Sequence, residues 1–163
     1  MRTSTIGEIK GVCIQDDRMF TRIQHGTEFY HETVALRSAI LRQPLGLKFS
    51  PEELDAERDS LHLACWRGKS VVACLILKPV SAKQMRMRQF AVHADVQGQG
   101  VGSALALHAE AIAKEHGYEE IVLHARETAL GFYEKLGYVV EGERFIEVTL
   151  PHFSMRKRLV GGA

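Results

Sequence analysis

The sequence predicts an α/β fold, a mixed but mostly antiparallel sheet of six or seven strands flanked by about four helices. Three observations predict it. Short apolar strands separated by turn residues follow one another from Leu61 to Val92, the pattern of an antiparallel meander. A glycine-rich turn, Val96-Gln-Gly-Gln-Gly-Val-Gly-Ser103, then leads into an amphipathic helix and a further strand, which makes a strand-helix-strand crossover. Two more apolar stretches close the chain as a hairpin.

The elements follow in order. Residues 1–16 are open between a loose arm and an added strand, and Met19 to Gln24 alternates as a first short strand. Thr27 is an N-cap for a helix on which Phe29, Tyr30, Val34, Leu36, Ile40 and Leu41 recur, and Gln43-Pro-Leu-Gly46 stops it. Ser50-Pro-Glu-Glu53 supplies a capping hydroxyl, a proline in the first turn and acids suited to the helix dipole, so a second, short helix runs to near Asp59. Leu61 to Trp66, the turn Arg67-Gly68-Lys69, Val71 to Leu77 and Met85 to Val92 form the meander. Val101, Leu105, His108 and Ile112 keep one face of the main helix, with Ala104, Leu107 and Ala111 beside it and Gly117 as its stop. Ile121 to His124 is a strand, Ala129 to Leu136 a helix ended by Gly137, and strands lie around Val139 to Thr149 and Phe153 to Leu159.

At 163 residues and 45% hydrophobic content, the expectation is one domain spanning residues 1–163. The 21 basic and 20 acidic residues nearly cancel, so nothing in the overall charge suggests nucleic acid or an anionic membrane as a partner. Cys13, Cys65 and Cys74 are odd in number, widely spaced and without a metal-binding pair motif, which favours reduced thiols over a disulfide framework. The first ten residues lack the apolar core of a signal peptide, and no stretch is long enough to cross a bilayer. The expected location is the cytoplasm.

Glycine at positions 98, 100 and 102, after a strand and before a helix, lets the backbone approach a ligand whose negative charge the free N–H groups at the helix start would meet. A tight packing corner explains the same glycines. The spacing is neither Gly-x-Gly-x-x-Gly nor a Gly-Lys-Ser/Thr phosphate loop, so dinucleotide and nucleoside-triphosphate readings lose ground.

Phe90-Ala-Val-His-Ala-Asp-Val-Gln97-Gly-Gln-Gly100-Val-Gly102 resembles the acetyl-coenzyme A loop of the GNAT N-acetyltransferases, Gln/Arg-x-x-Gly-x-Gly/Ala after an apolar strand. Ala129-Leu-Gly-Phe132-Tyr133-Glu-Lys-Leu-Gly137-Tyr138 is similar to the family's Ala-x-x-Phe-Tyr-x-x-x-Gly-Phe helix. The run Phe145-Ile-Glu147-Val-Thr-Leu-Pro-His152-Phe-Ser-Met155 resembles that of an ElaA-type subgroup. The resemblance covers Leu61 to Leu159 and, in general layout, the helices before it.

It implies acetyl-coenzyme A as cosubstrate, no metal, and an amine acceptor, with a homodimer as a common family state. Phe90, Ala91 and Val92 would line the pantetheine arm, and Gln97, Gly98, Gln99, Gly100, Val101, Gly102 and Ser103 the pyrophosphate. Tyr133 would protonate the departing thiolate, for a phenol near ~10 can serve a thiol near ~8.5 across a hydrogen bond; a core aromatic with a solvated hydroxyl is the alternative. His152 titrates near neutrality as a base must, and Glu147 orients it or binds a cationic substrate; a strand-end histidine beside a solvated glutamate is the bland reading. The carboxylate that some family members carry on the strand before the loop is missing from Met85-Arg-Met-Arg-Gln-Phe90, and Arg126 stands where the family often has asparagine, either to meet a cofactor phosphate or to point to water. Arg86 and Arg88 share a strand face and, with Arg156, Lys157 and Arg158, read as a solvated edge. His31, Glu32 and Arg37 are candidates for the acceptor wall.

The function implied is transfer of an acetyl group to a primary amine by direct attack in a ternary complex. A non-catalytic acyl-coenzyme A sensor is the alternative. No motif names the acceptor.

Overall fold

The computed structural model describes residues 13–15 and 18–159. Its sheet has eight strands in the order β1-β2-β3-β4-β5-β6-β8-β7. They are β1 (Cys13–Gln15), β2 (Arg18–Ile23), β3 (Leu61–Arg67), β4 (Ser70–Pro79), β5 (Gln84–Val92), β6 (Glu120–Arg126), β7 (Val139–Glu147) and β8 (Leu150–Arg158). The backbone of Cys13–Gln15 pairs with β2, so the expectation that was open resolves as an added edge strand at those residues. Every pairing is antiparallel except that of β5 with β6, which the crossover helix α3 (Val101–Glu115) makes parallel.

One face of the sheet packs on α3 and α4 (Leu130–Lys135), where Leu63, Leu75, Leu77, Met85, Met87, Leu105, Ala109, Ile121 and Leu123 are buried together. The small residues Ala106, Ala109 and Ala113 let α3 lie close to the strands. The other face meets α1 (Glu28–Arg37), through Ile23, Tyr30, Leu36, Ala64, Trp66 and Cys74. Thr27 caps α1 as expected, its hydroxyl accepting from the Tyr30 N–H at 3.3 Å. The short α2 (Pro51–Asp55) has a full capping box between Ser50 and Glu53 and ends four residues before Asp59.

Two departures from the expected elements shape the site. The first helix does not continue smoothly to Leu41; Ser38–Arg42 forms a π-helical turn and Gln43–Leu45 a 3-10 turn. Such turns re-aim side chains and backbone carbonyls without breaking the helix. The last strand begins at Leu150, ahead of the expected Phe153. Pro151 is tolerated because it pairs only with Ile146 of β7; β6 joins one residue later, at His152. The β7–β8 connection is therefore a two-residue turn, Val148-Thr149, with both residues at positive φ, 49° and 64°. That is the sign pattern of a type I′ hairpin, adopted here by two β-branched residues instead of the usual Asn-Gly.

Candidate active site

The gap that holds the site opens in the middle of the sheet. Parallel pairing of β5 with β6 stops at Met87–Leu123, while β5 runs on to Val92 beside β4. A bulge between Cys74 and Ile76, with Gln89 at φ 53°, bends β5 away at that point. The backbone of Arg88 to Val92 thereby faces a cleft instead of a sixth-strand partner.

At one end of the cleft lies the glycine-rich turn. Gly98 and Gly100 sit at φ 80° and 81°, and a Cβ on either would meet nothing within 4 Å, so these two serve backbone conformation and an open surface. Gly102 differs: its Cβ would lie 3.2 Å from Val92 Cγ2 and 3.3 Å from the Phe132 ring, so it lets α3 pack against β5 and α4. Packing thus accounts for Gly102, while the space at Gly98 and Gly100 is open. The first helical bond, Ala104 N–H to the Gly100 carbonyl at 3.0 Å, leaves the N–H groups of Val101, Gly102 and Ser103 directed toward the helix start. Gln97 donates to the Val92 carbonyl at 2.9 Å, and Gln99 donates to the Asp95 carbonyl at 3.2 Å. Arg18 donates to the Gln99 carbonyl at 2.8 Å and Arg67 reaches its side-chain oxygen at 3.5 Å. These two arginines bring positive charge to a loop whose own residues carry none, and no sequence motif marked them.

At the other end is a cavity of about 430 Å³, lined by Leu41 and Arg42 of the π turn, Glu53, Arg86 to Phe90, His124, Arg126, Ala129, Tyr133, Glu147, Val148 and His152. Tyr133 is nine-tenths buried. Burial pushes its phenol well above the ordinary value, so it stays protonated. Its ring packs against Phe132 and Tyr138, and Phe90 lies 6.2 Å away.

Glu147 and His152, expected together, are together. His152 is buried, and its Nδ1 donates to the Leu150 carbonyl at 2.9 Å, an oxygen that only accepts. In its neutral form the ring therefore turns a bare Nε2 toward Glu147 Oε2, 3.8 Å away, and in its protonated form it brings positive charge to the same carboxylate. Glu147 Oε1 accepts from His124 Nδ1 at 2.9 Å. The same nitrogen also touches Arg86 Nη2, but it cannot accept a hydrogen there while donating one to the carboxylate. Arg86 thus acts on Glu147 through charge, at 3.8 Å. Burial works to raise the Glu147 carboxyl, but the His124 hydrogen bond and the charges of His124, His152 and Arg86 outweigh it and hold the group below its ordinary value.

His124 is the site residue that motif reasoning missed. Its alternation with Ile121, Leu123 and Ala125, all buried on the other face, was the available signal. Arg86 and Arg88 are corrected as well: β5 is a central strand, and both line the cavity instead of a solvated edge. Arg126 is half-buried, donates to the Leu41 carbonyl at 2.8 Å and lines the cavity beside Arg42. Of the first-helix candidates, Arg37 is buried against Glu57 and His31 and Glu32 are exposed; the wall is built by the π turn that follows them. Cys65 and Cys74 are buried free thiols, pushed up by burial to about 11 and about 12, which makes both poor nucleophiles at neutral pH. The side chain of Cys13 lies outside the described residues.

The chain and its fold have counterparts among known proteins. The family model described as the acetyltransferase (GNAT) domain matches residues 47–159. A Bacillus subtilis (strain 168) protein named as an acetyltransferase is 30% identical over 135 residues, 78% of this chain and 88% of its own length. Escherichia coli ElaA superposes with a TM-score of 0.73 at 18% identity, over 85% of this chain and 97% of its own. A GNAT family acetyltransferase from Elizabethkingia anophelis, solved with acetyl-CoA bound, superposes with a TM-score of 0.70 at 18% identity, over 89% of this chain and all of its own, 100%. Among the described residues no helix is long and apolar enough to cross a membrane. The chain belongs to the GNAT family of acetyltransferases, and it is an acyltransferase enzyme with that family's fold.

Proposed function

We propose that the protein, as a single catalytic domain, transfers the acetyl group of acetyl-CoA to a primary amine by direct attack in a ternary complex. The observation that carries this reading is one cavity with a buried phenol, Tyr133, on one wall and the Glu147–His152 pair on another. The residues present fit the cosubstrate. Gly98 and Gly100 leave space above the loop, the first N–H groups of α3 suit a pyrophosphate, and the unpaired edge of Phe90, Ala91 and Val92 suits the amides of an extended arm. Acetyl-CoA supplies an acyl group activated as a thioester.

The remaining work falls to side chains. With the His152 imidazole neutral, the 3.8 Å separation of Glu147 Oε2 and His152 Nε2 leaves two acceptors facing one another without a hydrogen between them. An amine placed there donates to both, and on attack one of them takes its proton. Glu147 is kept ionised for that role by His124 and Arg86, which act as positioning residues. Tyr133, protonated throughout the neutral range, donates its hydrogen to the departing sulfur. Because β6 leaves this end of β5 unpaired, backbone N–H groups near Val92 meet the carbonyl oxygen as it gains charge.

The test is Tyr133→Phe, assayed by coenzyme A thiol release against an amine panel and by calorimetric titration with acetyl-CoA. The expected result is turnover reduced by about 10²- to 10⁴-fold with cosubstrate affinity intact. Unchanged turnover removes Tyr133 from the reaction, and affinity without any turnover in the wild type favours an acyl-CoA sensor.

A further inference from the structure

The charges around the acceptor cavity do not balance. Four guanidinium groups, Arg42, Arg86, Arg88 and Arg126, line it against two carboxylates, Glu53 and Glu147. Arg42 is paired with Glu53 at 3.0 Å, and Arg86 faces Glu147 at 3.8 Å. Arg88 and Arg126 have no carboxylate partner among the described residues. Guanidinium groups stay charged at any relevant pH, so this excess is permanent.

Arg86 is also under-satisfied as a donor. Its Nε is buried without a hydrogen-bond partner, and its Nη2 abuts His124 Nδ1, which is committed to Glu147. Burial and the neighbouring Arg88 charge, two residues along the same strand, both press Arg86 down from its ordinary value. An anion between them relieves the repulsion and fills the open donors, whereas a purely cationic amine adds to the excess.

Resting on the cavity being the acceptor site, we propose that the acceptor is a primary amine carrying a carboxylate, and that Arg88, with Arg86 beside it, holds that carboxylate. The guanidinium fork matches a carboxylate in two parallel hydrogen bonds. Because Arg86 faces Glu147 at 3.8 Å and Arg88 lines the same cavity, a carboxylate held there anchors the acceptor while its amine reaches the Glu147–His152 gap. Charge thus selects for the class of acceptor before any pocket shape discriminates within it.

The test titrates the coenzyme A-loaded protein with the free α-amino acids and with ω-amino acids from β-alanine to ε-aminohexanoate, each beside its amide and its aminoalkyl phosphonate. Acetyl transfer to the same set is measured in parallel. The expected result is that at least one acid binds and is acetylated about 10- to 100-fold better than its amide, and that Arg88→Gln removes the difference without shifting melting temperature or acetyl-CoA affinity. Acids bound by wild type and lost in Arg88→Gln, but without turnover, leave this inference standing and remove the acetyl-transfer reading. Acids and amides acetylated alike leave that reading standing and overturn this one, as does equal loss of both in Arg88→Gln. Preference for the phosphonates over the acids overturns the assignment to a carboxylate.

Discussion

The Arg37 guanidinium meets the Glu57 carboxylate edge to edge, Nη1 to Oε1 at 2.8 Å and Nη2 to Oε2 at 2.7 Å, with both side chains buried. Tyr30 donates to the same Glu57 Oε1 at 2.9 Å. The pair ties α1 to the segment after α2, and the π turn that walls the cavity grows directly from that end of α1. Glu57→Gln leaves a buried guanidinium uncompensated and is expected to cost about 3–5 kcal/mol in denaturant unfolding, while Arg37→Met with Glu57→Met recovers most of it. A single variant as stable as the wild type contradicts this account.

His62 beside that pair predicts how stability responds to acid. Its Nε2 donates to the Glu57 carbonyl at 2.9 Å, and Nδ1 is buried with no partner. Burial holds the imidazole below its ordinary value, so the folded protein resists the proton that the unfolded chain accepts near pH ~6.5. The unfolded state then binds more protons, and stability falls as pH drops from about 6.5 toward the folded value. Urea unfolding at a series of pH values is expected to show this decline in the wild type and a flatter profile in His62→Gln. Equal slopes in the two proteins refute the assignment.

Gly100 and Gly102 separate by substitution. Gly100→Ala places a side chain at φ 81° and is expected to cost about 1–2 kcal/mol through backbone strain, with weaker acetyl-CoA binding as the loop shifts. Gly102→Ala has ordinary helical geometry but crowds Val92 and Phe132, so its effect depends on how far that ring gives. Gly102→Leu, which cannot be absorbed by a few tenths of an ångström, is expected to lower melting temperature more than Gly102→Ala. Calorimetry and thermal melts on the three variants check the order, and a Gly102→Leu protein as stable as Gly102→Ala contradicts it.

Legibility in the sequence followed the range of the interactions concerned. The main helix and the meander were legible because periodicity and turn chemistry are local. The start of β8 was not, because Pro151 looks like a break until the two-residue turn before it and its one-sided pairing are known. The π turn was hidden, since Ile40 and Leu41 keep near-helical spacing either way. In the site, Glu147 and His152 stood five residues apart in one run and could be paired on paper. His124 could not: its partners lie 23 and 38 residues away, and only the sheet order brings them to one face.

The turn at Val148-Thr149 joins β7 to β8 beside the Glu147–His152 pair. A hairpin tip built from β-branched residues in left-handed conformation opposes the pairing of Glu147 with Leu150 that it connects. Local opening there costs less free energy than opening of the sheet behind it. Leu150 supplies the carbonyl that sets the His152 tautomer, and Glu147 the carboxylate it faces, so warming releases both controls at once. The expected consequence is that turnover is lost on warming at temperatures where the core is still folded.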